Sequence, residues 1–443
     1  MCYNDYSKYS ASLVMKAVIS NRIYMDCDAF MEQKLDEELT YVIPSYKKNS
    51  APQVIKNLRK ISNKVVSIPV GRTDLIPSNY EIKDKRVCSP MIFPEFKFSL
   101  RESQQQVHDE LSDNAIINAW VSWGKTFTAL AIAKKLQQKT LIITHTIALR
   151  NQWEEEVQKV FGAEAGIIGS GKFNINSFVT VGNTQTLYRN IGQLAKEFGT
   201  VIVDEMHHLP AKSFNALVDS NYARYKIGLS GTVERKDGKH VIFRDFFGDK
   251  KFTPPRENYI EPTVDVIRSN IRFMDGAHVP WALRVNDLVQ QEEYGQLISM
   301  LTAVYHKKGH KMLVLSDRVN FLKRCAQTLG QKCVTITGED PLEVRQKKIA
   351  SVVSGDNTII FGTQAIFSEG VSINPLSCLI LATPVNNEPL LTQLIGRVVR
   401  HSPGKLKPVV VDINLKGKTG ARQANLRLGY YLKERYQVQF IDM

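Results

Sequence analysis

The octet Ala119-Trp120-Val121-Ser122-Trp123-Gly124-Lys125-Thr126, directly ahead of the helix-forming run Phe127–Leu136, constrains this chain more than any other stretch. It fits G-x-x-x-x-G-K-[ST] at every position but the first, where Ala119 replaces glycine. A turn of this kind sets backbone N–H groups and a helix N-terminus against an anion. The pattern predicts that residues 119–126 cradle the phosphates of ATP, with Lys125 reaching the β- and γ-phosphates and the Thr126 hydroxyl binding Mg2+. A chance G-K-T before a helix is the competing explanation, and the rest of the chain decides against it.

Further along, Asp204-Glu205-Met206-His207 closes the apolar run Val201–Val203. One carboxylate at a strand end can hold Mg2+, while a second can orient and deprotonate an attacking water. Asp204 is assigned to the metal and Glu205 to the base. The run Gln393-Leu394-Ile395-Gly396-Arg397-Val398-Val399-Arg400 spaces two arginines three apart. On a helix, Arg397 and Arg400 would share a face, and with Gln393 they could stabilise charge on a transferring phosphoryl group as arginine fingers do.

Between these motifs, short apolar strands alternate with helical stretches, the signature of parallel α/β architecture. Strands are expected at Thr140–Thr144, Phe178–Val181, Val201–Val203 and Ile227–Ser230. After a proline-rich linker at Thr253–Pro262 they resume at Met312–Ser316, Val334–Thr337, Thr358–Gly362, Cys378–Ala382 and Pro408–Asp412. The expected division is an N-terminal accessory domain over 1–95, a first α/β domain over 96–254 that binds nucleotide, and a second over 263–443. The accessory domain reads as α+β, with strand-like Leu13–Ile19 and Val65–Val70 and a helix-like Gln53–Ile61.

Fifty-eight Lys and Arg against 44 Asp and Glu leave a net charge of +14, which favours a polyanionic partner. Basic residues gather at Lys47, Lys48, Lys56, Arg59, Lys60 and Lys64, where the accessory domain could bind duplex or branched DNA or present a solvated face, and again after His401, where Tyr430, Tyr431 and Tyr436 could meet nucleic acid but are expected to complete a core. No apolar run is long enough for a membrane span, no secretory leader is recognisable, and the six scattered cysteines fit reduced thiols in a cytoplasm. His306 and His310 lack a third partner for a metal.

The ordered motif set over residues 96–412 resembles the superfamily 2 helicases of the D-E-x-H type. The resemblance implies two tandem RecA-like parallel-sheet domains and ATP-driven work on nucleic acid. Leu100-Arg101-Glu102-Ser103-Gln104 is similar to the family's adenine-reading motif, which makes Gln104 the base contact, with Phe96 or Phe98 beside the ring. The stretch Ile142–Trp153 resembles motif Ia, and Thr184-Gln185-Thr186-Leu187 resembles motif Ic. Leu313–Arg318 resembles motif IV, and Gly362-Thr363-Gln364 through Gly370 resembles motif V. By resemblance, Thr144, Gln152, Thr184, Gln185, Arg318, Thr363 and Gln364 contact the DNA backbone, without regard to sequence.

Ser230-Gly231-Thr232, continued through Gly238, is similar to motif III of the XPB-like and UvsW-like branch, with Val233 where proline is usual. Gly370–Ile373 resembles phage branched-DNA helicases, with Ser372 in place of the usual aspartate. Ser122 stands where many relatives have glycine. The resemblance implies a monomeric 3′ to 5′ DNA helicase acting on forks or Holliday junctions, in the host cytoplasm if phage-encoded. An RNA helicase and a duplex translocase that does not separate strands are the alternatives.

Overall fold

The structure is a computed structural model describing residues 15–43, 51–208, 212–231, 238–276, 278–330, 332–368 and 373–443. The chain forms two compact units divided at Pro255/Arg256. The expected motif III continuation (232–237), the motif V residues 369–372, and Lys47 and Lys48 lie outside the described residues.

The first unit is built on an eight-stranded sheet. Its order is Lys172–Phe173, Gly166–Gly169, Val179–Asn183, Thr140–Thr144, Thr200–Val203, Tyr225–Ser230, Ala115–Asn118 and Lys251–Phe252. Every neighbouring pair is parallel except the one at the Lys172–Phe173 edge. Helices cover a parallel sheet on both faces, so its strands read as continuous apolar runs. Ile117, Leu141, Ile142, Ile143, Val201, Ile202 and Val203 are accordingly buried whichever way they point.

Residues from Lys16 to Asp84 form a five-stranded sheet with its own core of Ala17, Ile23, Met25, Leu35, Leu39, Val66 and Ile68. The helix expected over Gln53–Ile61 is absent. Its place is taken by strands Gln53–Lys56 and Arg59–Lys60. β-Branched Val54 and Ile55 pair with Val42 and Tyr41, and Asn57 breaks the run by donating its amide to Asp245.

This module falls within the first unit. Asp219, on the helix Lys212–Asp219, accepts from Arg22 and Arg59 at 2.7 Å each. Asp245 accepts from the Tyr41 hydroxyl at 2.8 Å and lies 3.6 Å from the Arg72 guanidinium. Burial pushes the Asp245 carboxyl above the usual range against these donors. Among the described residues of the basic cluster, Lys56 pairs with Asp36, Arg59 with Asp219 and Lys60 with Glu32. Removing one partner of a buried pair strands the other charge and costs about 3–5 kcal/mol. Asp219→Ala is therefore expected to lower the denaturant midpoint sharply, because Arg22 is left buried. Asp36→Ala, which breaks an exposed pair, should change stability by less than about 1 kcal/mol.

The second unit carries a seven-stranded, wholly parallel sheet. Its order is Cys333–Ile336, Ile359–Thr363, Met312–Ser316, Cys378–Leu381, Val409–Lys416, Thr263–Arg272 and Gln437–Asp442. Tyr430, Tyr431 and Tyr436 sit in its core, with the Tyr430 hydroxyl 2.8 Å from Thr392 Oγ1. Arg427, one of the C-terminal basic residues, is buried against Asp412 at 2.8 Å. His306 bonds to Thr358 and His310 to Ser377, so the two rings have separate partners. Among the described residues, no helix is long and apolar enough to cross a membrane.

Candidate nucleotide site and motor motifs

The strand Ala115–Asn118 runs into the turn 119–124, and the helix Lys125–Leu136 leaves it. That helix begins two residues earlier than the sequence implied, which puts Lys125 and Thr126 in its first turn. Its first N–H groups have no partner within the helix, as at any helix N-terminus. Gly124 is left-handed at φ +91°, and an added Cβ would lie 2.8 Å from Gln104 Nε2. The Gln104 amide therefore borders the turn, while its Oε1 accepts from the Arg101 backbone at 3.0 Å.

Ser122 is also left-handed, at φ 84°. For a residue with a Cβ that conformation costs roughly 1–2 kcal/mol, which explains why glycine is usual there. Trp120 and Trp123 are buried, and Lys125 Nζ donates to the Ala119 carbonyl at 3.0 Å, reaching back across the turn. Phe96 packs on Phe127 and Phe161 with ring centroids 5.0 and 5.6 Å apart, whereas Phe98 remains half exposed beside Phe127.

Asp204 and Glu205 follow directly on the strand Thr200–Val203, whose sheet neighbours are Thr140–Thr144 and Tyr225–Ser230. Asp204 Oδ1 accepts from the Glu205 backbone at 2.9 Å, and Oδ2 accepts from Trp153 Nε1 at 2.8 Å. Burial, reinforced by the Glu205 charge, pushes the Asp204 carboxyl up. Burial acts on Glu205 in the same sense, but the His207 hydrogen bond and the Lys125 charge outweigh it and hold Glu205 below the usual carboxylate range. Glu205 is thus ionised at neutral pH, as a proton acceptor must be.

His207 Nδ1 lies 3.2 Å from Glu205 and 3.4 Å from Ser230 Oγ, so the acidic motif meets the end of the strand that carries Ser230. His208 stacks on His145 at 3.9 Å and lies 4.3 Å from the His207 ring. No local pattern marks this histidine cluster, because His145 stands more than sixty residues before the other two.

The expected strand contacts divide into two kinds. Gln185 is exposed and Gln152 partly so. Thr144 and Thr184 are instead turned inward, with the Thr144 hydroxyl donating to Thr146 and Gly182 carbonyls and that of Thr184 to the Thr144 carbonyl at 2.9 Å. Both sit where parallel strands end, and their hydroxyls satisfy backbone carbonyls there. In the second unit Thr363 and Gln364 are likewise buried, with Gln364 Nε2 donating to Thr383 Oγ1 at 3.0 Å. Arg318 is partly exposed and donates to Asn286 Oδ1 at 2.6 Å.

The arginine pair departs from expectation. The helix Glu388–Ile395 carries Gln393 but stops before either arginine. A turn at 396–398 follows it, and Arg400 forms a backbone bridge with Tyr259. Arg397, only 9 % exposed, donates from Nε to the Phe367 carbonyl at 2.6 Å and from an Nη to Ser368 at 2.9 Å. The two guanidinium groups therefore do not share a helix face.

Residues 97–235 match the family described as type III restriction enzyme, res subunit, and residues 293–402 match the helicase conserved C-terminal domain. The chain is 43 % identical over 424 residues to the probable helicase D10 of Escherichia phage T5, covering 94 % of each chain. It is 36 % identical over 351 residues to the DNA 3′-5′ translocase XPB2 of Sulfurisphaera tokodaii, covering 69 % of this chain and 78 % of that one. The chain is a superfamily 2 helicase of the XPB-like and UvsW-like branch.

It is an ATP-dependent helicase, and the two α/β units are its tandem RecA-like domains. The same fold occurs in S. cerevisiae Dbp5 bound to RNA and ADP BeF3, at a TM-score of 0.53 and 12 % identity over 77 % of this chain and 89 % of that one. Among the residues of this helicase that sequence reasoning missed, Trp153 stands out. It was placed in motif Ia, and nothing in the sequence marked its contact with Asp204.

Proposed function

We propose that this helicase acts on DNA and that forks and Holliday junctions are its substrates, worked on by a single chain. Its 36 % identity to an archaeal protein named as a DNA 3′-5′ translocase carries the DNA part of the reading and favours the same polarity. An energy comparison favours branched substrates. Separating a duplex costs about 1.4 kcal/mol per stacked step, whereas branch migration forms one pair for each it breaks.

ATP is the nucleotide in this reading, and the residues present fit it: a helix N-terminus, a lysine reaching across the turn, and a carboxylate at the end of a strand two places away in the same sheet. Thr126 and Asp204 would hold Mg2+, which supplies charge neutralisation of the phosphate oxygens. Lys125 holds phosphate, Glu205 accepts the proton of the attacking water, and Gln104 reads the base. Arg397 and Arg400 supply positive charge against the phosphoryl group. Gln152, Gln185 and Arg318 grip the strand, together with Thr144, Thr184, Thr363 and Gln364 through the chain segments that those inward side chains brace.

The test sets synthetic Holliday junctions, forks and tailed duplexes side by side, in DNA and in RNA, and follows strand products with ATP. Faster turnover of DNA junctions than of tailed duplex is the expected result. Equal unwinding of long plain duplex, or a preference for RNA, would sink the proposal.

A further inference from the structure

Trp153 and Asp204 stand 51 residues apart in sequence and meet in a contact that the roles assigned so far do not explain. Both side chains are buried, Trp153 at 1 % exposure and Asp204 at 6 %. The terminal torsion of an aspartate is ordinarily broad. Here each carboxylate oxygen is engaged by a different element. Oδ1 takes the Glu205 N–H at 2.9 Å, and Oδ2 takes the indole N–H at 2.8 Å. Turning the carboxylate plane would break both bonds in a site closed to water, where an unmade hydrogen bond is costly.

The indole itself has little freedom. It projects from the helix Ile147–Phe161, which Thr146 caps by accepting from the Leu149 N–H at 3.2 Å, and which Val157, Val160 and Phe161 bury in the core. A neighbour that orients a ligating carboxylate typically changes metal affinity by about ten- to a hundred-fold when removed.

We infer that Trp153 is a positioning residue for the metal site, its indole N–H setting the Asp204 carboxylate in the orientation that receives Mg2+. The inference rests on the reading of Asp204 as the metal ligand, and the experiment separates the two.

Mn2+ binding is measured by electron paramagnetic resonance on the full chain with ADP present, for the wild type, Trp153→Phe, Asp204→Asn and the double variant. Fluorescent ADP binding without divalent metal is measured on the same samples. Trp153→Phe should weaken Mn2+ binding about ten- to a hundred-fold and leave metal-free ADP binding unchanged. The double variant should be no worse than Asp204→Asn, because the tryptophan acts through the aspartate.

Wild-type Mn2+ affinity in Trp153→Phe, with affinity lost in Asp204→Asn, would overturn the positioning role alone. Wild-type affinity in Asp204→Asn would overturn the metal assignment and the inference with it. Trp153→His keeps a ring donor and is measured alongside. If Trp153→Phe does not fold, a folded Trp153→His with near-wild-type Mn2+ affinity supports the inference, and one as impaired as Asp204→Asn overturns it.

Discussion

Glu205→Gln is expected to bind ATP about as well as the wild type and to hydrolyse it roughly 10²–10⁴-fold more slowly, the usual contribution of a positioned general base. The amide matches the carboxylate in size but cannot take a proton. Binding should survive because Lys125 and the turn 119–124 are untouched. The local geometry supports a dedicated role, since Glu205 is held left-handed at φ 47° directly after a buried strand. Its carboxylate lies 3.2 Å from His207 Nδ1, and His207 in turn approaches Ser230. Single-turnover hydrolysis alongside equilibrium nucleotide binding checks the expectation. A variant that loses binding and hydrolysis equally would make Glu205 a structural residue.

Arg400→Ala is expected to slow ATP hydrolysis about 10³-fold or more, the range for loss of an arginine finger. Arg397→Ala should also lower the unfolding midpoint of the second unit, because the Phe367 and Ser368 carbonyls each lose a donor. Arg397→Lys should not restore it, since one ammonium cannot reproduce the planar fork. Thermal unfolding and steady-state hydrolysis of the three variants decide the matter. Wild-type hydrolysis in Arg400→Ala would remove its finger role, and a wild-type midpoint in Arg397→Ala would remove the structural role of its two bonds.

Much of the fold was legible because parallel strands are buried on both faces. Leu141–Ile143, Val201–Val203 and Leu313–Leu315 announce themselves as unbroken apolar runs, and the observed strands contain them. The turn at Gly124 and the carboxylates at Asp204 and Glu205 were legible for a related reason, as local patterns fixed by local geometry. What escaped depends on distance or on tertiary competition. Val54 and Ile55 fit a helix as readily as a strand until Val42 and Tyr41 lie opposite them. The spacing of Arg397 and Arg400 implied a helix face, but the helix ends at Ile395 and Arg400 lies in a backbone bridge with Tyr259. Thr144 and Thr184 occupy their motif positions, yet the strand ends claim their hydroxyls. No local pattern could link Trp153 to Asp204, or Arg22 to Asp219.

The most direct test of the account is strand displacement on a forked DNA with ATP and Mg2+, comparing the wild type with Lys125→Ala and following hydrolysis in the same tubes. DNA-stimulated hydrolysis and strand products are expected from the wild type, with both lost together in Lys125→Ala while DNA binding persists. Strand products that survive Lys125→Ala, or a wild type that hydrolyses ATP without separating or exchanging strands on any substrate, would contradict it.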